Sequence, residues 1–433
     1  MPEHRIDNML VVGASLAGLR AAQHARKLGY DGRLTLVGAE AHLPYNRPPL
    51  SKDFLLGGST DLEFLSAEAL ESHGIELRLG TPARLLNTHA RTLRVGDDDL
   101  DYDGMVITTG ADARRLPTSV ADPDLRGLHY LRDIDHASSV RQELSSARTM
   151  VVIGGGFIGL EIASSALELG VEVVIVEAGP GPMIRALGHE LGVRMTNVLG
   201  AAGLEVRCGT GVARIHGTSA DSVETVCAVK LSDGTVIDAD IVCVGVGTQP
   251  AVEWLTDSGL ELENGIKADE NLWTGVPGVY AAGEVVNWFN LAYAQYMRLE
   301  TWTNAAEQAI GAVTNLLAPS DPKPVRCIPY FWSKQRDTFI QGIGAPGDAE
   351  IFTVGDTLED RKTLVMYRDQ DALSMMCGIN RPDLVMKFRP LIARRAPWTD
   401  AVQLAVKLTG NEPGSVDTLH ATDLAGIVTG GGQ

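Results

Sequence analysis

Two stretches of sequence decide the fold: Met9-Leu-Val-Val-Gly-Ala-Ser-Leu-Ala-Gly18 and Met150-Val-Val-Ile-Gly-Gly-Gly-Phe-Ile-Gly159. In both, a short apolar run leads into a glycine-rich turn and then into a stretch with helical character. A second apolar run follows each of them, at residues 33–37 and 171–176. Strand, glycine turn, helix and strand in this order form the βαβ unit of a dinucleotide-binding fold. Two copies predict an α/β chain with two nucleotide sites.

The second copy has the complete glycine pattern and an acid at the end of its second strand. The first glycine makes the turn, the second lets the backbone approach a pyrophosphate, and the third lets helix and strand pack closely. Glu177 follows Gly159 by eighteen residues, where a carboxylate binds a ribose 2′-hydroxyl and repels a 2′-phosphate. We therefore predict NADH rather than NADPH at this site; the alternative is a glycine turn without a ligand. The predicted contacts are Gly154, Gly156, Phe157, Ile158, Gly159 and Glu177.

The first copy differs from this pattern at one position. Ser15 stands where the second glycine is usual, and its small side chain can be accommodated or can reach a phosphate. Glu40 follows Gly18 by twenty-two residues, in the ribose-binding position. The alternative is a motif that only shapes the fold. The predicted contacts here are Gly13, Ser15, Leu16, Ala17, Gly18 and Glu40.

Two further segments assign FAD to the first copy. The tandem prolines of Leu43-Pro-Tyr-Asn-Arg-Pro-Pro-Leu-Ser-Lys52 fix an extended conformation that can lay Arg47 and Lys52 along a cofactor. Far downstream, Gly278-Val-Tyr-Ala-Ala-Gly-Glu284 places Glu284 after an apolar strand and Gly283, where its carboxylate can bind a ribityl hydroxyl. Gly247 is also predicted to contact a cofactor.

The domain organisation follows from these segments. We predict two Rossmann-like three-layer nucleotide-binding domains, for FAD at residues 1–114 and 249–325 and for NAD at residues 115–248. Alternating strands and a stretch of helical spacing at residues 390–408 predict a smaller α/β C-terminal domain over residues 326–433. Its last twenty or so residues are expected to be a mobile tail.

Composition excludes several classes of function. The chain of 433 residues carries 37 Lys and Arg against 55 Asp and Glu, a net charge of -18, which argues against nucleic-acid and anionic-membrane partners. Its five cysteines form no C-x-x-C pair and no metal cluster, and no run of sequence suits a signal peptide or a membrane span. We therefore predict a cytoplasmic protein without a metal site.

Together these residues resemble the flavoprotein ferredoxin reductases that serve cytochrome P450s and Rieske-type oxygenases, which are similar in fold to glutathione reductase. The resemblance covers roughly residues 6–400. It rests on Pro44-Tyr-Asn-Arg-Pro-Pro-Leu-Ser-Lys52, Thr108-Thr-Gly110, the second glycine motif with Glu161, Gly278 to Glu284, and Pro329-Tyr-Phe-Trp-Ser333.

The resemblance implies an FAD enzyme that takes electrons from NADH and passes them to a ferredoxin, a small iron–sulfur protein such as one with a 2Fe-2S cluster. Lys52 and Glu161 would form a catalytic ion pair beside the flavin N5, and Arg47 would contact the FAD diphosphate. Thr109 and Gly110 would lie at the crossover between the nucleotide domains. Trp302 and Trp332 would flank the isoalloxazine ring.

The sequence departs from the family pattern in three places. Glu284 stands where the family has Asp, and its extra methylene would shift a tightly bound ribityl chain. Ser15 replaces a glycine, and Lys334-Gln-Arg336 replaces the more usual acidic or aromatic neighbours of its loop.

The acceptor of the electrons is predicted from the missing thiols. The chain has no redox-active cysteine pair and no thiol in Ala41-His-Leu-Pro-Tyr45, so the flavin must reduce its acceptor directly. An acceptor such as oxygen, a quinone or a small organic molecule stays open, as does a binding protein controlled by its redox state. The chain is expected to be a monomer or a homodimer. Basic residues that could dock an acidic ferredoxin are Lys334, Arg336, Arg381, Lys387, Arg389, Arg394 and Arg395.

Overall fold

A computed structural model describes residues 5–220, 223–355, 358 and 362–415 of the chain. The mobile tail that the sequence predicts lies outside the described residues, which end at residue 415. The chain divides into two compact units. The first unit comprises Met1–Pro117, Leu128–Ser146 and Val244–Pro329, and the second comprises Thr118–Gly127, Ala147–Cys243 and Tyr330–Gln433. The domain boundaries drawn from the sequence stay a prediction.

The first unit is built on a five-stranded parallel sheet. Its strands lie in the order Val279–Ala281, Gly104–Ile107, Asn8–Val12, Arg33–Val37 and Glu76–Arg78. The central strands are apolar at nearly every position because helices cover both faces of such a sheet. Two of these helices, Leu16–Lys27 and Trp302–Leu317, pack against each other. The turns that follow the strands meet at one edge, where open α/β sheets bind their ligands.

Smaller elements complete the first unit. The chain forms an antiparallel sheet of Ala83–Asn87, Thr92–Val95 and Asp98–Asp101, and a mixed sheet of Ile266–Ala268, Val286–Asn290 and Gln295–Met297. Ala111–Ala113 pairs with Thr248–Pro250, and Leu128–His129 is a further short strand. The remaining helical elements are Pro48–Ser51, Ala67–Ser72, Ile134–Leu144 and Glu253–Leu255.

The second unit repeats the βαβ arrangement. Its sheet contains, in order, Glu205–Cys208, Glu172–Glu177, Thr149–Ile153 and Ile241–Val244. Helix Phe157–Glu168 follows the glycine turn, and helix Ile184–Ala201 is interrupted at Gly188, whose φ is 77°. The strands Val212–Ala220, Val223–Leu231 and Val236–Asp238 form a separate antiparallel sheet.

The C-terminal part of the second unit is an antiparallel sheet with short helices. The strand order is Tyr330–Gln335, Thr338–Gly344, Ala372–Ile379, Thr363–Asp369, Glu350–Gly355 and Gly414–Ser415. The helical elements are Pro382–Val385, Met386–Phe388, Arg389–Ala393 and Trp398–Thr409.

The helical spacing over residues 390–408 corresponds to two helices, Arg389–Ala393 and Trp398–Thr409. Arg395 adopts a left-handed conformation with a φ of 48°, and Pro397 precedes the second helix at its N-cap. The first helix ends at Ala393, and Ala396, which precedes the proline, is disfavoured in the α region, so the helix does not resume before Pro397. Among the described residues, no helix is both long enough and apolar enough to span a bilayer.

Candidate functional site

The first glycine turn is packed so tightly that a side chain on Gly13 or Gly18 would clash with the backbone. A Cβ on Gly13, whose φ is +114°, would lie 2.3 Å from the carbonyl oxygen of Thr108, and one on Gly18 would lie 1.9 Å from that of Gly13. Helix Leu16–Lys27 begins directly after Ser15, which makes no side-chain cap. The first N–H groups of this helix therefore have no cap from Ser15, and such groups bind anions well. The turn fits a dinucleotide phosphate.

Glu40 lies in a polar cluster of the first unit. One of its carboxylate oxygens accepts a hydrogen bond from the Tyr45 hydroxyl at 2.6 Å, and the other forms an ion pair with Arg47. Arg47 also donates to the Ser15 hydroxyl at 3.1 Å and to the carbonyl of Arg132 at 2.8 Å. Burial raises the pKa of Tyr45 well above its usual value, so its hydroxyl stays a donor. The cluster thus orients Glu40 and places a guanidinium beside the glycine turn.

Glu284 forms an ion pair that the sequence did not suggest. Its carboxylate lies 2.6 Å from the Arg132 guanidinium, and each side chain is 21% exposed. Burial lowers the pKa of Arg132, but the charge of Glu284 and its hydrogen bond raise that pKa by more, so the guanidinium stays protonated. No sequence motif marks Arg132, so its contact with Glu284 is visible only in the folded structure. The longer side chain of Glu284 brings its carboxylate into contact with the Arg132 guanidinium.

The remaining predicted residues of the first unit lie in connecting segments or near the ends of helices. Thr109 donates to the carbonyl of Ala251 at 3.1 Å, and the carbonyl of Gly247 accepts a hydrogen bond from the Arg114 N–H at 3.0 Å. Pro48–Ser51 forms a short 3-10 helix rather than the extended segment that its prolines predicted, because proline also suits the first positions of a helix. Lys52 follows this helix and donates to the carbonyl of Pro48 at 2.9 Å. Trp302 is the first residue of helix Trp302–Leu317. Also placed in this unit are Leu16, Ala17, Gly110 and Gly283.

The second glycine turn has the same close packing. A Cβ on Gly159 would lie 2.3 Å from the carbonyl oxygen of Gly154. Gly156 is the extended N-cap residue of helix Phe157–Glu168. Phe157 packs on Phe331, with ring centroids 4.8 Å apart. The turn therefore also fits a dinucleotide phosphate at a helix N-terminus.

Glu177 is the last residue of its strand, as the sequence predicted. Its two carboxylate oxygens accept hydrogen bonds from the N–H groups of Gly155 and Gly179, both at 2.7 Å. These two bonds fix the carboxylate at the glycine turn. The carboxylate keeps further lone pairs with which it can accept a ribose hydroxyl.

Glu161 lies on helix Phe157–Glu168 and is 5% exposed. The Ser333 hydroxyl donates to Glu161 Oε1, and Gln335 Nε2 donates to the Ser333 hydroxyl at 2.7 Å. Ser333 belongs to one of the motifs of the resemblance, but its role is not visible in the sequence, because a serine in a strand carries no sign of its partner. Trp332 lies on the same strand, 5.7 Å from Tyr330 between ring centroids.

Each unit thus brings together its own set of predicted residues. The first unit contains Lys52 and Trp302, whereas the second contains Glu161 and Trp332. The predicted pair of Lys52 with Glu161, and the two tryptophans around one ring, stay predictions. Within the described residues, no group of three or more His, Cys, Asp and Glu side chains could bind a metal ion.

Two dinucleotide-binding βαβ units followed by an antiparallel domain define an oxidoreductase of the two-nucleotide class. Residues 7–309 match the pyridine nucleotide-disulphide oxidoreductase family, and residues 330–409 match the reductase C-terminal family. The chain belongs to the pyridine nucleotide-disulphide oxidoreductase family. Its cofactors are FAD and NADH. Despite the family name, none of the five cysteines, all of which lie in the described part of the chain, is in a disulfide.

The similarity to individual proteins extends over nearly the whole chain. Rhodocoxin reductase of Rhodococcus erythropolis is 33% identical over 396 residues, which cover 90% of this chain and 91% of that protein. The ferredoxin–NAD(+) reductase component of the biphenyl dioxygenase system of Paraburkholderia xenovorans is 35% identical over 366 residues, with 84% and 87% covered. The crystal structure of the covalent putidaredoxin reductase–putidaredoxin complex matches with a TM-score of 0.86 and 29% identity, covering 93% of this chain and 99% of that chain.

Proposed function

We propose that this chain is an NADH:ferredoxin oxidoreductase, which uses FAD to reduce a ferredoxin-type iron–sulfur protein that serves a P450 or Rieske oxygenase. The observation that carries this function is the likeness to reductases of such systems through both the nucleotide-binding part and the C-terminal part of the chain. The absence of a cysteine pair supports it, because electrons then pass from the flavin to the acceptor without a thiol relay.

The first glycine turn is the proposed FAD site. Its closed turn at Gly13 and Gly18 suits the diphosphate, and Arg47 adds a positive charge beside Ser15. Glu40, oriented by Tyr45 and Arg47, would accept the adenosine ribose hydroxyls. Glu284, whose carboxylate is fixed by Arg132, would accept a ribityl hydroxyl with a remaining lone pair. We propose residues 1–114 and 249–325 as the domain that contributes this site.

The second glycine turn is the proposed NADH site, in the domain at residues 115–248. The carboxylate of Glu177 favours a free 2′-hydroxyl and repels a 2′-phosphate, which is the basis of the NADH preference. The residues from 326 onward would form the third domain, and its Trp332 would lie against the flavin ring. The five cysteines, none of which is in a disulfide within the described residues, support a reducing, cytoplasmic location for the protein.

Lys52 and Glu161 are the proposed catalytic pair. Bound FAD supplies the redox chemistry, because it accepts two electrons from a nicotinamide and can release them singly. The ammonium of Lys52 would stabilise the negative charge that develops during reduction, and Glu161 would orient it. A positioned charge of this kind lowers the barrier only where it is fixed before the reaction.

An anaerobic absorbance spectrum before and after addition of NADH tests the cofactor assignment. A flavin spectrum that bleaches with NADH, but slowly with NADPH, is expected. NADH-dependent reduction of cytochrome c should then require an added 2Fe-2S ferredoxin. Equal reduction of cytochrome c without ferredoxin, or transfer to a quinone at the same rate, would favour the direct-acceptor alternative.

A Lys52→Ala variant tests the catalytic pair. It should retain NADH binding but slow the reduction of the flavin in stopped-flow experiments. The exposed Lys27, at the last turn of helix Leu16–Lys27, provides the control, since its alanine variant should reduce at the wild-type rate. Unchanged kinetics in Lys52→Ala would remove Lys52 from the mechanism.

A further inference from the structure

A buried chain of polar side chains connects the C-terminal strand Tyr330–Gln335 to helix Phe157–Glu168. Ser333 and Gln335 are two residues apart on the strand, so their side chains point to the same face. Both are completely buried, and Glu161 on the helix is 5% exposed. Gln335 Nε2 donates to the Ser333 hydroxyl at 2.7 Å, and that hydroxyl donates to Glu161 Oε1.

The direction of these hydrogen bonds follows from the groups involved. A serine hydroxyl has a single proton to donate, whereas an amide NH2 group can only donate. Gln335 therefore occupies a lone pair of Ser333, and the hydroxyl proton points to Glu161. A hydrogen bond from a buried hydroxyl favours one orientation of the carboxylate that accepts it. The strand thus determines where the charge of Glu161 lies.

A second hydrogen bond joins the same two elements without involving Glu161. After Gln335 the strand enters a tight turn, where Arg336 adopts a left-handed φ of 50° and its backbone N–H donates to the Ser164 hydroxyl. Ser164 lies three residues after Glu161 on the helix and is equally buried, at 4% exposure. Contact between strand and helix is therefore maintained by Ser164 even when Ser333 is changed.

We propose that Ser333 is a positioning residue for Glu161, supported from behind by Gln335. The proposal rests on the catalytic role assigned to Glu161 in the proposed function and deepens it. It gives the C-terminal strand a part in the reduction of the flavin, in addition to the contribution of Trp332. Removal of the Ser333 hydroxyl takes this donor away from the buried Glu161, so its carboxylate is oriented less firmly.

The test compares Ser333→Ala with Ser164→Ala in the FAD-loaded enzyme. Ser333→Ala should lower the limiting rate of flavin reduction by about tenfold, as expected for a hydrogen bond to a charged group. The dissociation constant of NADH should stay within about twofold of wild type, since the variant changes no proposed NADH contact. Ser164→Ala and Ser333→Thr, which keeps the hydroxyl, should both reduce near the wild-type rate.

The midpoint potential of the bound flavin is an independent readout. The hydrogen bond from Ser333 partly offsets the negative charge of Glu161. In the proposed site, loss of this bond should move the flavin potential to more negative values, because a nearby negative charge disfavours the reduced flavin. Ser164→Ala should leave the potential unchanged. Equal effects of Ser333→Ala and Ser164→Ala on rate and potential would show that Ser333 only joins strand to helix, and would overturn the inference.

A double-mutant cycle with Glu161→Gln separates this inference from the proposed function. If Ser333 acts through Glu161, Ser333→Ala should add little to the slow rate of Glu161→Gln, because the effects of coupled residues are not additive. A full additional loss would contradict the inference and leave the proposed function intact. A wild-type rate in Glu161→Gln itself would instead remove Glu161 from the mechanism, and the positioning role with it.

Discussion

Glu284 illustrates how a departure from a family pattern acquires a structural reason. The sequence indicated only that a longer acid replaces the usual Asp. The fold places the Arg132 guanidinium 2.6 Å from the Glu284 carboxylate, and each side chain is about four-fifths buried. A shorter acid on the same backbone would lie farther from that guanidinium. The longer side chain is thus matched to a partner that is 152 residues away in sequence.

Removal of this acid should destabilise the protein. Glu284→Ala leaves the mostly buried Arg132 charge without its partner, so we expect the free energy of unfolding to fall by about 1–3 kcal/mol. Urea unfolding of the holoprotein at a fixed excess of FAD measures this. The exposed pair of Arg33 with Glu76 is the control, where Glu76→Ala should cost at most about 1 kcal/mol. Equal costs for both variants would mean that burial gives the Glu284 pair no special weight.

Glu177 should determine which nicotinamide nucleotide is used. Glu177→Ala removes the carboxylate that accepts the N–H groups of Gly155 and Gly179. The preference for NADH over NADPH should narrow by about tenfold, because the repulsion of a 2′-phosphate is lost. The ratio of kcat/KM for the two nucleotides measures this preference. Glu172→Ala, at the exposed start of the same strand, should leave the ratio unchanged; an unchanged ratio in Glu177→Ala would place the ribose elsewhere.

At the scale of single elements, the βαβ units were predictable because their signals are local. The apolar strand, the glycine turn and the helix follow one another directly, and the structure has them at Asn8–Val12 and Leu16–Lys27 as the sequence indicated. The two helices within residues 390–408 were not separated, because the apolar spacing continues across the break at Arg395. The contacts of Arg132 and Ser333 were also missed, since each is made with a partner more than a hundred residues away.

The N-terminus of helix Ile134–Leu144 should make stability depend on pH. Asp133 caps this helix and lies 2.9 Å from His136 Nδ1. The hydrogen bond and charge of Asp133 raise the pKa of His136. Burial raises the pKa of Asp133, but its contacts with His136 outweigh this and lower it. A protonated His136 is therefore paired with an ionised Asp133 in mildly acidic solution.

The sign of the effect follows from these directions. The pKa of His136 is raised in the folded state, so its contribution is fully present below the unfolded value of about 6.5 and is lost as the pH rises through the folded value. The difference in unfolding free energy between wild type and His136→Gln should therefore be larger at pH 5.5 than at pH 8, by at most about 1 kcal/mol because the ring is partly exposed. A difference that grows with pH would contradict this pairing.

At the scale of the whole molecule, the thiols limit how many electrons the protein can store. None of the five cysteines, all within the described residues, is in a disulfide, and burial raises the pKa of Cys377 to about 12, so it stays a thiol. An anaerobic dithionite titration should therefore consume two electrons per bound flavin. Alkylation with iodoacetamide should leave NADH-dependent reduction of the flavin intact. Consumption of four electrons, or loss of activity on alkylation, would reveal a second redox centre.

The charge of the whole molecule restricts where an acidic ferredoxin can dock. The net charge is -18, so attraction requires a local basic surface. Several of the candidate residues are already paired, because Arg394 lies 3.1 Å from Asp400 and Arg395 lies 3.4 Å from Asp369. The exposed Lys334, Arg336 and Lys387 are therefore the stronger candidates for contact with a partner.

The central claim is that the reduced flavin gives its electrons to an iron–sulfur protein, and double-mixing stopped flow tests it most directly. The protein is first reduced with one equivalent of NADH under anaerobic conditions. It is then mixed with an oxidised 2Fe-2S ferredoxin such as putidaredoxin, or with air-saturated buffer. Reoxidation of the flavin should be much faster with ferredoxin than with oxygen. Reoxidation by oxygen at an equal or higher rate would contradict the assignment of a ferredoxin as the acceptor.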